Sequence, residues 1–218
     1  MARAPFIPPS PSEEAYSVDA DQGEVFTSED PIVLFEQWFA LASAHEPNDP
    51  NAMSLATADD TGAPDVRIVL MKDFDRRGVT FYTHETSAKG RQIAQNARAA
   101  LCFHWKSIRR QIRLRGRVEK VAASEADAYF AERARGARLG AWASKQSAPL
   151  ESREGFLEAI AAAEKKFEGA DVPRPTQWVG YRLVPEEIEF WVNRPYRLHD
   201  RLLFMSKASG WSACRLYP

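Results

Sequence analysis

Apolar and polar residues alternate through the middle of this chain. AMSLATA (52–58), DVRIVLMK (65–72) and VTFYT (79–83) are short, rich in strand-forming residues, and separated by the turn signals Asp59-Asp60-Thr61-Gly62 and Asp75-Arg76-Arg77-Gly78. They predict three strands in an antiparallel meander. Further strands are expected at 99–105 and about 110–121, with four short ones between Trp178 and Leu216. A helical period replaces the alternation where Asp30-Pro31, an N-cap and first-turn pair, leads into Ile32, Leu34, Phe35, Trp38, Phe39 and Leu41. The loop from Glu46 to Pro50 ends that helix. Ser87 caps a short helix through Ile93 that Asn96 closes, and helices are expected near 124–133, 138–145 and 152–168. Residues 1–27, rich in Pro, Ser, Glu and Asp, read as a flexible tail, and 28–218 as a single domain. The order of elements is α+β, mainly β: an antiparallel barrel or sheet with peripheral helices, without βαβ alternation or a GxGxxG loop.

Composition narrows the function. A chain of 218 residues with 44% hydrophobic and 27% charged residues is an ordinary globular protein with one core. Its formal net charge of −1 supplies no global attraction to nucleic acid or an anionic membrane, so any anion site is local. No apolar run reaches the length of a membrane span, and Cys102 and Cys214 read as buried thiols of a reducing compartment, so the expected location is cytoplasmic.

Candidate chemistry concentrates at Ile188–Phe204, where Trp191, Arg197, His199 and Arg201 fall close together. Read as strand, turn and strand, with Asn193-Arg194-Pro195 as the turn, a two-residue period puts Arg197, His199 and Arg201 on one face. Those charges repel unless something anionic sits among them; the alternative is a solvated face. In DVRIVLMK the alternation points Arg67 away from Ile68, Leu70 and Lys72, so a bulge or the strand end must re-aim Lys72 if both serve one ligand. Tyr82, Thr83, Ser87, Lys89 and Arg91 make a candidate phosphate cradle at a helix start. In KSIRRQIRLRGRVEK, Arg109, Gln111, Arg113, Arg115 and Arg117 share a face, with Gln111 able to read a heterocycle edge. Tyr129 and Arg133 lie one helical turn apart, and GAWASKQS (140–147) places Trp142, Gln146 and Ser147 on a possible contact surface. The four histidines lack ligand spacing, so no metal site is expected, and no GxSxG or Cys-His pattern supplies a nucleophile. Many phosphate-sized cationic spots and few nucleophiles point to borrowed cofactor chemistry.

The stretch EFWVNRPYRLHDR resembles the C-terminal signature of the pyridoxamine 5′-phosphate oxidase family, and RIVLMK, FYT, RRQIRLRG, GAWASKQS and RLYP resemble its other blocks in order, over roughly residues 30–218. The resemblance implies a homodimeric split β-barrel with two FMN sites at the interface, built from both chains. The implied activity is oxidation of pyridoxamine or pyridoxine 5′-phosphate to pyridoxal 5′-phosphate by oxygen, with release of hydrogen peroxide. It further implies FMN contacts from Arg67, Ile68, Val69, Leu70, Met71, Lys72, Tyr82, Thr83, Lys89, Gln111, Gln146, Ser147, Trp191 and Arg201. Lys72, Tyr129 and Arg133 are the implied partners of the substrate phosphate. Arg197, Leu198 and His199 are placed at the substrate ring, with Arg197 and His199 as the catalytic pair.

Several positions depart from the family pattern. Ala88 stands where Arg is usual, with Arg91 a candidate replacement; Ala137 stands for Ser; Val192 stands for a residue that is commonly Gln; and Tyr16 is the nearest match to a tail residue that closes over substrate. Rival readings are a related split-barrel flavin reductase with another substrate, and a non-catalytic flavin or pyridoxal-phosphate carrier.

Overall fold

The computed structural model describes residues 23–218. Among them are five α-helices and nine strands: α1 Pro31–His45, β1 Ala52–Ala58, β2 Pro64–Leu70, β3 Asp73–Asp75, β4 Gly78–His84, α2 Ala88–Gln95, β5 Arg98–Trp105, β6 Arg110–Lys120, α3 Ala123–Glu132, α4 Arg135–Ala143, α5 Arg153–Lys166, β7 Trp178–Val192, β8 Asp200–Lys207 and β9 Gly210–Leu216. The strands hydrogen-bond in the order β2-β1-β5-β6-β7-β4-β3, and β8 pairs with β7 and β9. The chain divides into two compact units. The first comprises the described part of Met1–Pro50 with His104–Ile112 and Ile188–Pro218, and the second Asn51–Phe103 with Arg113–Glu187.

In the first unit, the Asp30 carboxylate accepts the Ile32 N–H at 2.9 Å and Pro31 occupies the first turn, so α1 starts where its cap dictates. Its apolar side buries Trp38, which meets Phe190 edge-on at 5.1 Å; Phe190 in turn meets Phe204 at 5.7 Å. The Trp38 indole N–H donates to the Val25 carbonyl at 3.1 Å, and Phe26 stacks on Trp38. Residues 25 and 26, inside the segment expected to be a tail, are therefore packed.

In the second unit, Asp59 Oδ1 accepts the N–H groups of Thr61 and Ala63 at 2.9 and 3.0 Å, which closes the β1–β2 hairpin. The expected meander does not continue. The Asp75-to-Gly78 turn joins β4 to the short β3, and β4 pairs on its other side with β7. Alternation along a strand marks its faces but not its neighbour, and here the long-range pairing wins. Three strands, rather than four, follow Trp178, because β7 runs unbroken through Pro185. That proline falls beyond the last pair with β4, Val79 with Leu183, where its missing N–H takes nothing from that ladder.

Val121, Ala126, Phe130, Ala141 and Trp178 form one apolar cluster, with Tyr82 and Tyr129 against it. Burying a side chain of Phe130's size contributes about 1.5–3 kcal/mol. Trp142, expected as a contact surface, belongs instead to a second cluster: its ring lies against Phe167 at 5.1 Å and its N–H donates to the Pro173 carbonyl at 2.7 Å. Neither cysteine is fully buried as expected: Cys102 is half-buried and Cys214 is exposed. No helix among the described residues is long and apolar enough to cross a membrane.

Candidate functional site

A cleft of about 520 Å³ opens in the second unit. β2 brings Arg67, Ile68, Val69 and Leu70 to it. Lys72 joins them because the strand stops at Leu70: Met71 N–H donates to the Asn51 carbonyl and Lys72 N–H to the Thr80 carbonyl, which turns the chain. The strand end thus resolves the opposition that regular alternation would impose. Arg67 is held in place by Thr57 and Asp65, each at 2.5 Å, and by Gln92 at 3.1 Å.

The end of β4 contributes Tyr82, Thr83 and His84. Tyr82 stacks against Tyr129 at 4.4 Å and Trp178 at 5.1 Å, the latter only 4° from parallel, and those two rings are themselves 6.1 Å apart, so the three form one mutual cluster. This stack needs a glycine opposite. Tyr82 pairs across the sheet with Gly180, where an added Cβ would stand 2.6 Å from the Tyr82 ring. Thr83 faces the other way and donates its hydroxyl to Gln146 Oε1 at 2.7 Å.

Lys89, in the first turn of α2, is only 8% exposed and donates to Gln146 Oε1 at 3.2 Å and Thr83 Oγ1 at 3.4 Å. Both partners are neutral. Burial, then the Arg67 charge, pushes its pKa down, with Asp65 opposing. Arg133, just past the end of α3, lies over the Trp178 ring at 5.0 Å, and its Nη1 is buried without a hydrogen-bond partner. His84 is 4% exposed with an unpartnered Nδ1; burial, followed by Arg133 and Lys89, lowers its pKa. Two cations and an imidazole, none paired with a carboxylate, converge on one cleft walled by aromatic rings. That arrangement fits an anion attached to a flat ring system.

The first unit holds a second group. The predicted second strand from Arg197 does not form there: Pro195–Arg197 is a 3₁₀ turn, Tyr196 and Arg197 have φ of 56° and 62°, and β8 begins only at Asp200. The two-residue period therefore fails for Arg197, because proline and two left-handed residues break the extended backbone. Left-handed residues other than glycine each cost on the order of 1–3 kcal/mol. His199 lies against Trp191, ring centroids 4.5 Å apart, and its Nδ1 accepts the Arg194 N–H at 3.1 Å, which leaves the proton of a neutral ring on Nε2. Burial and then Arg197 lower its pKa. The anions among these cations are protein carboxylates: Glu189 binds Arg201 at 2.7 Å, and Asp200 binds Arg194 at 2.6 Å.

Models of the pyridoxamine 5′-phosphate oxidase family match residues 42–167, and of its pyridoxine 5′-phosphate oxidase C-terminal dimerisation region, residues 178–218. A pyridoxine/pyridoxamine 5′-phosphate oxidase from Maricaulis maris (strain MCS10) is 53% identical over the whole of both chains. The chain belongs to the pyridoxamine 5′-phosphate oxidase family. Its fold is the α+β, mainly antiparallel split barrel with peripheral helices. PhzG from Burkholderia lata 383, solved with tetrahydrophenazine-1-carboxylic acid, superposes with a TM-score of 0.83 at 34% identity, over 88% of this chain and 94% of that one. A pyridoxamine 5′-phosphate oxidase-related, FMN binding protein from Nostoc punctiforme PCC 73102 shares the fold at 19% identity, with a TM-score of 0.70 over 88% of this chain and 100% of that one.

Among the positions implied by resemblance to the oxidase family, Arg67, Ile68, Val69, Leu70, Lys72, Tyr82, Thr83, Lys89, Gln146, Tyr129 and Arg133 line the cleft. Met71 is buried beside it, and Ser147, at φ 71°, lines an adjoining groove with Gln146. Gln111 at the start of β6, and Trp191, Arg197, Leu198, His199 and Arg201, lie in the first unit. Arg91 does not replace the missing arginine at Ala88 in this cleft: it donates to the Thr86 carbonyl and lines a different pocket. Tyr16 lies outside the described residues. His84 and Trp178 were not singled out from the sequence. Two-residue alternation with Tyr82 would have marked His84; Trp178 carries no local signal.

Proposed function

We propose that this protein is an FMN-dependent oxidase of phosphorylated B6 vitamers. It converts pyridoxamine 5′-phosphate, oxygen and water to pyridoxal 5′-phosphate, ammonia and hydrogen peroxide, or pyridoxine 5′-phosphate and oxygen to the same aldehyde and peroxide. The observation that carries the reading is the set of carboxylate-free polar groups, buried Lys89 and His84 and half-buried Arg133 with its shielded Nη1, in one aromatic-walled cleft. Such groups are stabilised by phosphate oxygens and flat rings, and both FMN and the substrate offer both. Bound FMN would supply the two-electron acceptor that this oxidation needs between the substrate carbon and oxygen.

The protein's own residues bind and orient. Arg67, Thr83, Lys89 and Gln146 hold the cofactor's phosphate, while Lys72, Tyr129 and Arg133 take that of the substrate. His199, neutral with its proton on Nε2, and Arg197 orient the pyridine ring. Arg201, half-neutralised by Glu189, serves as a fixed donor toward the flavin rather than as a free charge. A homodimer with flavin sites at its interface is supported by the dimerisation-region match and by β2, whose Val66 and Ile68 are 63% and 65% exposed in the single chain.

The likeness to PhzG favours a second reading, a flavin enzyme acting on a larger carboxylated ring, which would leave Lys72, Tyr129 and Arg133 without a substrate phosphate to bind. Purified protein given pyridoxamine 5′-phosphate in air separates the two. The expected outcome is one peroxide per pyridoxal 5′-phosphate formed, and a yellow protein that produces neither contradicts the proposal.

A further inference from the structure

We propose that His84 is an additional phosphate-binding residue of this cleft, donating through its imidazole Nδ1 to an oxygen of a phosphate monoester. The inference rests on the reading of the cleft as a phosphate site and assigns a residue that the family resemblance did not mark. His84 is the last residue of β4 and lines the cleft on the strand face it shares with Tyr82. Its Nδ1 is shielded from solvent and has no partner in the protein.

A buried imidazole nitrogen is seldom left unbonded, yet this one makes no hydrogen bond within the protein. Trp178, its cross-strand neighbour, offers an indole donor only, and the charged groups that act on it are the cations Arg133 and Lys89. Gly140, Ala141 and Ala137 line the cleft from α4 without any side-chain polar atom. Arg133 Nη1 is orphaned in the same way. Two orphaned nitrogens and a lysine with neutral partners lack one thing in common, an acceptor carrying negative charge. A phosphate dianion supplies several acceptor oxygens at once and favours the N–H at Nδ1 that its cationic neighbours could not use.

The phosphate belongs to the cofactor or to the substrate, and two pairs of ligands distinguish them. Binding of FMN and of riboflavin is measured on the cofactor-free protein, and of pyridoxal 5′-phosphate and pyridoxal on the FMN-loaded protein, by fluorescence titration. His84→Phe is expected to weaken one phosphorylated ligand by roughly 10- to 100-fold and to leave its unphosphorylated counterpart unchanged. His84→Asn, which retains an N–H donor near the Nδ1 position, is expected to restore most of that affinity. Should the phenylalanine variant fail to fold, NMR of the wild-type ring decides: the phosphorylated member of one pair shifts the His84 imidazole signals and its counterpart does not. Equal affinities of wild type and His84→Phe for FMN and for pyridoxal 5′-phosphate, or equal losses with and without the phosphate, overturn the assignment. A wild-type protein that binds riboflavin as tightly as FMN, and pyridoxal as tightly as its phosphate, overturns the phosphate cleft itself and His84 with it.

Discussion

Lys89 Nζ stands 3.2 Å from Gln146 Oε1, so the most deeply placed cation of the cleft is held by an amide and a hydroxyl instead of a carboxylate. A buried ammonium in that setting pays its desolvation without a countercharge until an anion arrives. Lys89→Ala is therefore expected to weaken FMN by about 1.5–3 kcal/mol, roughly one to two decades in Kd, while riboflavin affinity changes little. Titration of the cofactor-free variant with both flavins checks this; unchanged FMN affinity would show that the cofactor's phosphate lies elsewhere.

Gly180 is fixed by the ring above it. An alanine Cβ there would stand 2.6 Å from Tyr82 and 2.5 Å from Val121, and the Tyr82 ring is already packed against both Tyr129 and Trp178. Gly180→Ala is expected to cost about 1–3 kcal/mol by overpacking. The urea midpoint and the near-ultraviolet circular dichroism of the stacked rings should both move, and an unchanged midpoint would mean that the stack yields freely.

Arg197 sits in a left-handed turn rather than on a strand. Arg197→Met removes a charge from the substrate without touching the proposed phosphate cradle. FMN content should stay stoichiometric while kcat/KM falls by about one to two decades. A variant with full turnover would remove Arg197 from the catalytic pair.

Acid should weaken the cofactor-free protein before its carboxylates titrate. His84 and His199 are both held below the ordinary value of about 6.5, so as pH falls through it the unfolded chain takes up protons that the folded chain refuses. Their contribution is full above that pH and is lost below it. Asp65 and Glu125 shift in the same direction from lower starting values, so their contribution is lost only at more acidic pH. Urea midpoints at about pH 7.5 and 5.5 should differ less in His84→Asn than in wild type. Equal differences would show that His84 titrates normally in the fold.

Local signals carried much of this fold. Asp30 with Pro31, Ser87 with Asn96, and the Asp59 turn each act within a few residues, and the elements they bound begin or end where those side chains place them. Pairing is different in kind. β4 meets β3 and β7 rather than β2, β7 continues through Pro185, and Tyr196 with Arg197 turns left-handed, all because of contacts that a short window of sequence does not contain. For the site, alternation left Lys72 pointing away from Arg67, and only the end of β2 at Leu70 reunites them. His84 escaped notice because its importance comes from Arg133, Lys89 and Trp178, which the fold, not the spacing, brings to it.

The central claim is that phosphorylated B6 vitamers deliver electrons to FMN in this protein. Anaerobic titration of the FMN-loaded enzyme with pyridoxamine 5′-phosphate, followed in the visible spectrum, tests it most directly. The account predicts that the flavin band bleaches stoichiometrically as pyridoxal 5′-phosphate appears, and returns on admitting oxygen. A band unmoved by excess pyridoxamine 5′-phosphate and pyridoxine 5′-phosphate would contradict it.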